Sequence, residues 1–191
     1  MRLPALLRAL PFLLLSVSAH AERDWHIGWL GGISQPTIHD PNGPTQVGTQ
    51  SLWKDGVITV DHDRDSRFFV ELAQQKYTLT ADTTHIGQGV SRVESVLAYQ
   101  WRFRVSREFK PWFGVGVVYA NEKYSPRFTM TPTGFLNTVF PDRTESGIAP
   151  VVNATAQWDF IYGTQAGVHL QYEHGLSGLS SQLAVAFMLS Y

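Results

Sequence analysis

Hydrophobic and polar residues alternate along most of this chain with a period of two, the period of a β-strand. The last strand shows it most clearly: Leu183, Val185, Phe187, Leu189 and Tyr191 share one face, and Gln182, Ala184, Ala186, Met188 and Ser190 the other. The same alternation starts at Trp25, Ile27 and Trp29, with His26, Gly28, Leu30 and Gly32 opposite. It recurs from Phe68 (Phe68, Val70 and Leu72 against Glu71, Ala73 and Gln75) and from Val93 to Phe103 (Leu97, Tyr99, Trp101 and Phe103 against Glu94, Val96, Ala98, Gln100 and Arg102). From Pro111 to Asn121, Phe113, Val115, Val117 and Tyr119 oppose Trp112, Gly114, Gly116, Val118 and Ala120. Two more strands run over Ile148–Phe160 and Gln165–His174, the former with Asn153, Thr155, Gln157 and Asp159 on its polar face, the latter with His169, Gln171 and Glu173. A weaker strand over Gly56–His62 brings the count to eight.

Breakers punctuate these runs. Ser34–Asp55 contains Pro36, the Asp40–Pro44 run and Gly48, and is expected to be a long loop. After Gln75 the apolar phase passes to Tyr77 and Leu79, which predicts a bulge near Gln74 and Gln75. Ala81–Ser91 and Glu122–Ser146 are the other long connections, while Asp65–Ser66, Arg104–Lys110 and Tyr162–Gly163 mark short turns. The 122–146 connection is unusually apolar; Phe128, Met130, Phe135, Leu136 and Phe140 make it a candidate ligand mouth, or the packed ends of strands that outlast the bilayer.

The sense of the alternation decides what lies outside. The large apolar residues share one face of each strand, and Glu, Gln, Asn, His and Arg share the other. A soluble ligand-binding barrel puts its apolar face inward. Here the small and polar face suits a narrow lumen and the greasy face suits lipid, so the expected fold is all-β, an antiparallel eight-stranded transmembrane β-barrel. Trp101, Phe103 and Phe113 flank one short turn, as an aromatic girdle does at a membrane interface. Long connections alternate with short ones, and an even strand count puts both termini on the periplasmic side.

The first residues fit a leader. Arg2 and Arg8 precede and flank an apolar run, Leu10–Val17, and Ala19-His20-Ala21 has the small-x-small form of a cleavage site. The run is short of the roughly 20 residues a spanning helix needs. Residues 1–21 are therefore expected to be a signal peptide and 22–191 the barrel, located in the bacterial outer membrane.

Composition narrows the chemistry. Charged residues are 16% and aromatics 13% of 191, which excludes a disordered chain. There is no cysteine, hence no disulfide or thiolate metal site. The net charge of −1 and the lack of a basic stripe exclude a nucleic-acid partner. Asp61-His62-Asp63-Arg64-Asp65 holds carboxylates beside a histidine, but its spacing matches no cation loop and a solvated turn is expected. No phosphate-cradling loop, zinc motif or dinucleotide fingerprint is present, so no cofactor or metal is expected.

The inward charges are the candidate functional residues. Glu71, Glu94, Arg102, Asp159, His169 and Glu173 are expected to form a polar network that plugs the lumen, because an ion there is costly unless paired. Glu173-His174 with Ser177, Ser180 and Ser181 supply residue types for a nucleophile and base near the last loop; that alternative, a lipid A-modifying enzyme, requires them within hydrogen-bond reach.

The run Lys110-Pro111-Trp112-Phe113-Gly114-Val115-Gly116-Val117-Val118-Tyr119 resembles OmpW-type proteins, and the whole pattern resembles small outer-membrane barrels such as OmpX and the OmpA transmembrane domain. Phe187, Leu189 and Tyr191 resemble the C-terminal signal read by the barrel-assembly machinery; Ala186 lies near the place where that signal commonly has glycine. The resemblance implies outer-membrane lipid and lipopolysaccharide as surroundings, the assembly machinery as a transient partner, and a monomer. It implies a non-enzymatic role, structural or interacting, or a narrow channel for small hydrophobic compounds.

Overall fold

The computed structural model describes residues 24–38, 46–49, 51–79, 88–105, 111–130, 133–134, 136–140, 142–161, 163–176 and 178–191. The expected signal peptide lies outside them. Among the described residues, eight long antiparallel strands close into a barrel. They are β1 (Trp25–Ile38), β3 (Ser51–Asp63), β4 (Ser66–Leu79), β5 (Gln88–Arg102), β6 (Trp112–Tyr124), β9 (Arg143–Ile161), β10 (Thr164–Glu173) and β11 (Ser181–Ser190). A two-residue β2 (Gln46–Val47) pairs with the end of β1, and β7 (Arg127–Met130) pairs with β8 (Leu136–Phe140) as a separate hairpin. The seam is β1 against β11, in register from Gly28 opposite Ser190 to Thr37 opposite Ser181.

The outer wall is apolar. Ile27 and Trp29 are 65% and 71% exposed, and Leu72, Leu97, Val115, Val152, Leu170, Leu183 and Phe187 are exposed around the barrel. Such a belt is stable only against lipid, since water contact over so large an apolar area is unfavourable. Aromatic side chains gather at the end with the short turns: Phe103 packs edge-on to Phe113 at 5.2 Å and Tyr99 on Trp101 at 4.9 Å, and Trp25, Trp158 and Tyr191 are exposed nearby. Both ends of the chain's barrel, Trp25 and Tyr191, lie at this end too, joined by backbone bonds between Ile27 and Tyr191 of 2.8 and 2.9 Å. In an outer-membrane barrel this is the periplasmic end.

Three expectations on strand extent need correction. The 34–55 loop is shorter, because β1 continues to Ile38 and β3 begins at Ser51. Pro36 fits inside β1 because its carbonyl, which accepts from Gly48 N at 2.9 Å, faces the side where β3 pairing has already ended opposite Ser51. A missing N–H on that side breaks no long ladder. There is no bulge at Gln74 and Gln75; β4 pairs with β5 without a shift from Ser66 to Leu79. Tyr77 and Leu79 instead point inward and bury with Ile38, Val90 and Tyr124 as an apolar cap across the extracellular end of the lumen. Finally, β5 starts at Gln88 and β6 ends at Tyr124, so both strands run beyond their expected ends. Crossing a bilayer takes about 9–11 strand residues, and β5 has 15.

Inward glycines set how close the lumen side chains come. A Cβ at Gly114 would meet Asn153 Oδ1 and lie 2.7 Å from Gln100 Cγ. Its absence leaves room for Gln100 to donate to Asn153 at 2.9 Å. The periplasmic β9–β10 turn closes through Gly163, whose φ of 82° lies in the left-handed region that glycine tolerates.

Candidate functional site: the lumen

The lumen is filled by side chains from all eight strands, and its centre of charge is Arg92 on β5. Arg92 is 1% exposed. Its Nε binds Glu94 and its Nη2 binds Glu173; its Nη1 donates to Glu122 Oε1 at 2.9 Å and to Ser180 Oγ and O at 2.9 and 3.1 Å. Glu122 is further held by Tyr124 Oη at 2.5 Å, Tyr77 Oη at 3.3 Å, the Ser180 backbone N–H at 3.2 Å and the Ser180 hydroxyl. One guanidinium thus meets carboxylates from three strands. Its planar fork of five donors is the reason one residue can do this.

Hydrogen bonds lead from this cluster down the barrel. Gln171 Nε2 donates to Glu173 Oε1 at 3.0 Å, and Gln171 Oε1 lies 3.2 Å from His169 Nε2. In the neutral ring, Nε2 is then the donor and Nδ1 accepts from the Thr155 hydroxyl at 2.8 Å. His169 also stacks flat on Phe69 at 5.0 Å. Gln100 donates to Thr155 at 3.4 Å and accepts from Arg67 Nε at 2.6 Å; Arg67 Nη1 donates to Gln157 at 2.7 Å, and Gln157 donates to Ser190 at 3.3 Å. A side branch runs from Ser34 through Gln75 to Gln182 and Glu94.

The expected site residues fall into two groups. Glu71, Glu94, His169 and Glu173 are buried in the lumen. Glu94 and Glu173 share Arg92, His169 joins them through Gln171, and Glu71 faces Asp55, Glu94 and Glu173. Arg102 and Asp159 are elsewhere. Both line a cavity at the periplasmic end, where Arg102 packs over the Trp112 ring at 4.2 Å and Asp159 accepts from Gln165 at 3.3 Å. The strands are longer than the span of the central cluster, so an inward residue ten positions down β5 from Arg92 lies at the mouth.

Arg92, Glu122 and Arg67 are the residues sequence reasoning missed. Arg92 falls between the 81–91 connection and the strand read from Val93, and Glu122 opens the 122–146 connection, yet each continues the inward parity of its strand: Arg92 with Glu94 and Val96, Glu122 with Ala120 and Val118. That parity was the available signal. Phe128 and Met130 lie on β7 and Leu136 and Phe140 on β8, and the two strands pair with Met130 opposite Leu136; Phe135 and all these side chains' surroundings lie outside the described residues. Phe187, Leu189 and Tyr191 face outward, as expected from the alternation.

The enzyme-like set does not converge. Glu173 is buried on Arg92, His174 is exposed and meets Tyr172 at 3.4 Å, Ser180 binds Glu122, and the Ser181 hydroxyl accepts from Gly175 N at 3.0 Å. Ser177 lies outside the described residues. At the turn, Asp65 pairs with Arg104 at 3.1 Å and Asp63 accepts from Asp65 N at 2.8 Å. Among the described residues no three His, Cys, Asp or Glu side chains are grouped to hold a metal ion.

No family model matches the chain, and no curated protein matches it. Solved structures do. The attachment invasion locus protein Ail of Yersinia pestis aligns over 88% of this chain and 99% of its own at 9% identity, with a TM-score of 0.50. Neisserial surface protein A aligns over 89% and 98% at 11% identity, also with a TM-score of 0.50. The architecture is that of a small outer-membrane β-barrel.

Proposed function

We propose that the chain is an integral outer-membrane barrel with a structural or interaction role, its lumen sealed rather than conducting. The observation that carries this is the Arg92 cluster: a paired, fully buried ion group fills the barrel between the apolar cap and the periplasmic cavity, and that cavity reaches Arg67, Trp112 and Gln157 but none of the residues bonded to Arg92. An eight-stranded barrel has an interior that side chains can fill, and here they do. In this reading the outer wall and the extracellular connections meet lipid and lipopolysaccharide, and the protein carries no catalytic centre.

Refolded protein in planar bilayers tests the seal. The expected trace shows no unitary current steps; reproducible steps from the wild-type protein would favour the narrow-channel reading, with the β7–β8 hairpin as its mouth.

Biogenesis belongs to the same proposal: residues 1–21 direct export, and Phe187, Leu189 and Tyr191 are read by the assembly machinery. Tyr191→Ala separates signal from structure, because the backbone bonds to Ile27 need no side chain. The expected result is less folded protein in the outer membrane with unchanged stability of the fraction that assembles. Wild-type levels would show that the terminal aromatic is not read.

A further inference from the structure

The periplasmic end of the lumen opens into a cavity of about 800 Å³ that a sealed barrel leaves without a task. Its deepest side chain is Arg67 of β4, 2% exposed. Arg67 uses Nε on Gln100 and Nη1 on Gln157, and its guanidinium lies 4.1 Å from the centre of the Trp112 ring. Among the described residues its Nη2 has no hydrogen-bond partner. Arg102 lies over the same ring at 4.2 Å, its Nε also unpartnered among the described residues. Asp61 is the cross-strand partner of Arg67 in the β3–β4 register, yet its Oδ1 is unpartnered among the described residues as well. Two guanidinium donors and one carboxylate acceptor thus line one cavity, each with hydrogen-bonding capacity the protein does not use, which is most costly at the buried Arg67.

Charge selects the ligand. Five aspartates and four arginines line the cavity. A phosphate or dicarboxylate gains from the arginines and is repelled by the aspartates; a simple amine meets the reverse. A molecule carrying both charges a few atoms apart satisfies both. We propose that this cavity is a binding site for a small zwitterion of the α-amino-acid type, its carboxylate accepting from Arg67 and Arg102 and its ammonium donating to Asp61. Arg102 is only half-buried, and both it and the deeper Arg67 line the cavity over the one Trp112 ring. The site lies on the periplasmic side of the Arg92 cluster, so binding needs no conduction, and this proposal and the sealed-lumen reading can fail separately.

The test is an NMR titration of refolded protein in detergent micelles, following the Trp112 indole N–H, assigned with Trp112→Phe. Glycine carries both charges, N-acetylglycine the carboxylate alone and glycinamide the ammonium alone. The expected result is a saturable shift with glycine and binding about tenfold weaker or more for each analogue, the size of one charge-assisted hydrogen bond lost. Arg102→Gln should weaken glycine about tenfold, and Asp61→Asn should bring glycine down to the level of N-acetylglycine. Both positions are at the mouth, where far-ultraviolet circular dichroism can confirm that the barrel still forms. The proposal is overturned by no saturable shift with glycine, by N-acetylglycine or inorganic phosphate binding as tightly as glycine, or by folded Arg102→Gln and Asp61→Asn proteins that bind glycine like the wild type.

Discussion

Arg92→Leu is expected to lower the unfolding free energy of the barrel by about 3–5 kcal/mol, the range for removing one partner of a buried ion group. The reason is what remains. Glu94, Glu122 and Glu173 are each wholly buried and each bonded to this one guanidinium. Without it, like charges face one another in a region closed to water, and Ser180 also loses two of its contacts. Urea unfolding of protein refolded into lipid vesicles measures the loss. Arg92→Lys is expected to lie between, because an ammonium keeps the charge but cannot spread a planar fork over groups on three strands. Adding Glu173→Gln to Arg92→Leu should recover part of the stability by removing one uncompensated carboxylate. A loss below about 1 kcal/mol in Arg92→Leu, the scale of an exposed pair, would mean that the cluster does not hold the lumen together.

The second large effect belongs to the outer wall. Leu97→Arg is expected to cost about 2–4 kcal/mol, as cations do on the lipid face near the midplane. Leu97 is 44% exposed, between Val70 of β4 and Val117 of β6. It lies four residues from Trp101, about 13 Å along the strand, which places it near the middle of an apolar band about 25 Å tall. Thr78→Arg, on the same outward parity of β4 but near its extracellular end, should cost only about 0–1 kcal/mol. The same vesicle unfolding measurement compares the two. Equal costs would mean that the wall carries no depth-dependent apolar band at these positions.

These two residues also show how much was legible beforehand. Leu97 sits in an unbroken alternation, Val93 to Phe103, and its outward direction follows from period and from the company of Tyr99 and Trp101. Arg92 lies one step beyond the point where that alternation stops being apolar. Near the strand ends the outward positions become polar, as at Lys76, Ser91 and Lys123, because they leave the hydrocarbon. The contrast between faces that marks a strand vanishes there, so the strands legible in the sequence stop at Val93 and Asn121, one residue short of Arg92 and Glu122. Tyr77 and Leu79 misled for the converse reason: the inward face turned apolar to cap the lumen, which in one strand looks like a change of phase.

The sequence by itself determined that the chain is all-β, how many strands cross, which faces meet lipid, and which strand closes the barrel. All of these depend on the direction of side chains along single strands, which period two sets locally. Only the tertiary structure decided which inward groups meet. Arg92, Glu94, Glu122 and Glu173 come together from β5, β6 and β10 because barrel closure and stagger set their heights. The same geometry carried Arg102 and Asp159 down to the periplasmic mouth, beside Arg67 and Asp61. Height within a barrel is a property of register among strands, and no single strand encodes it.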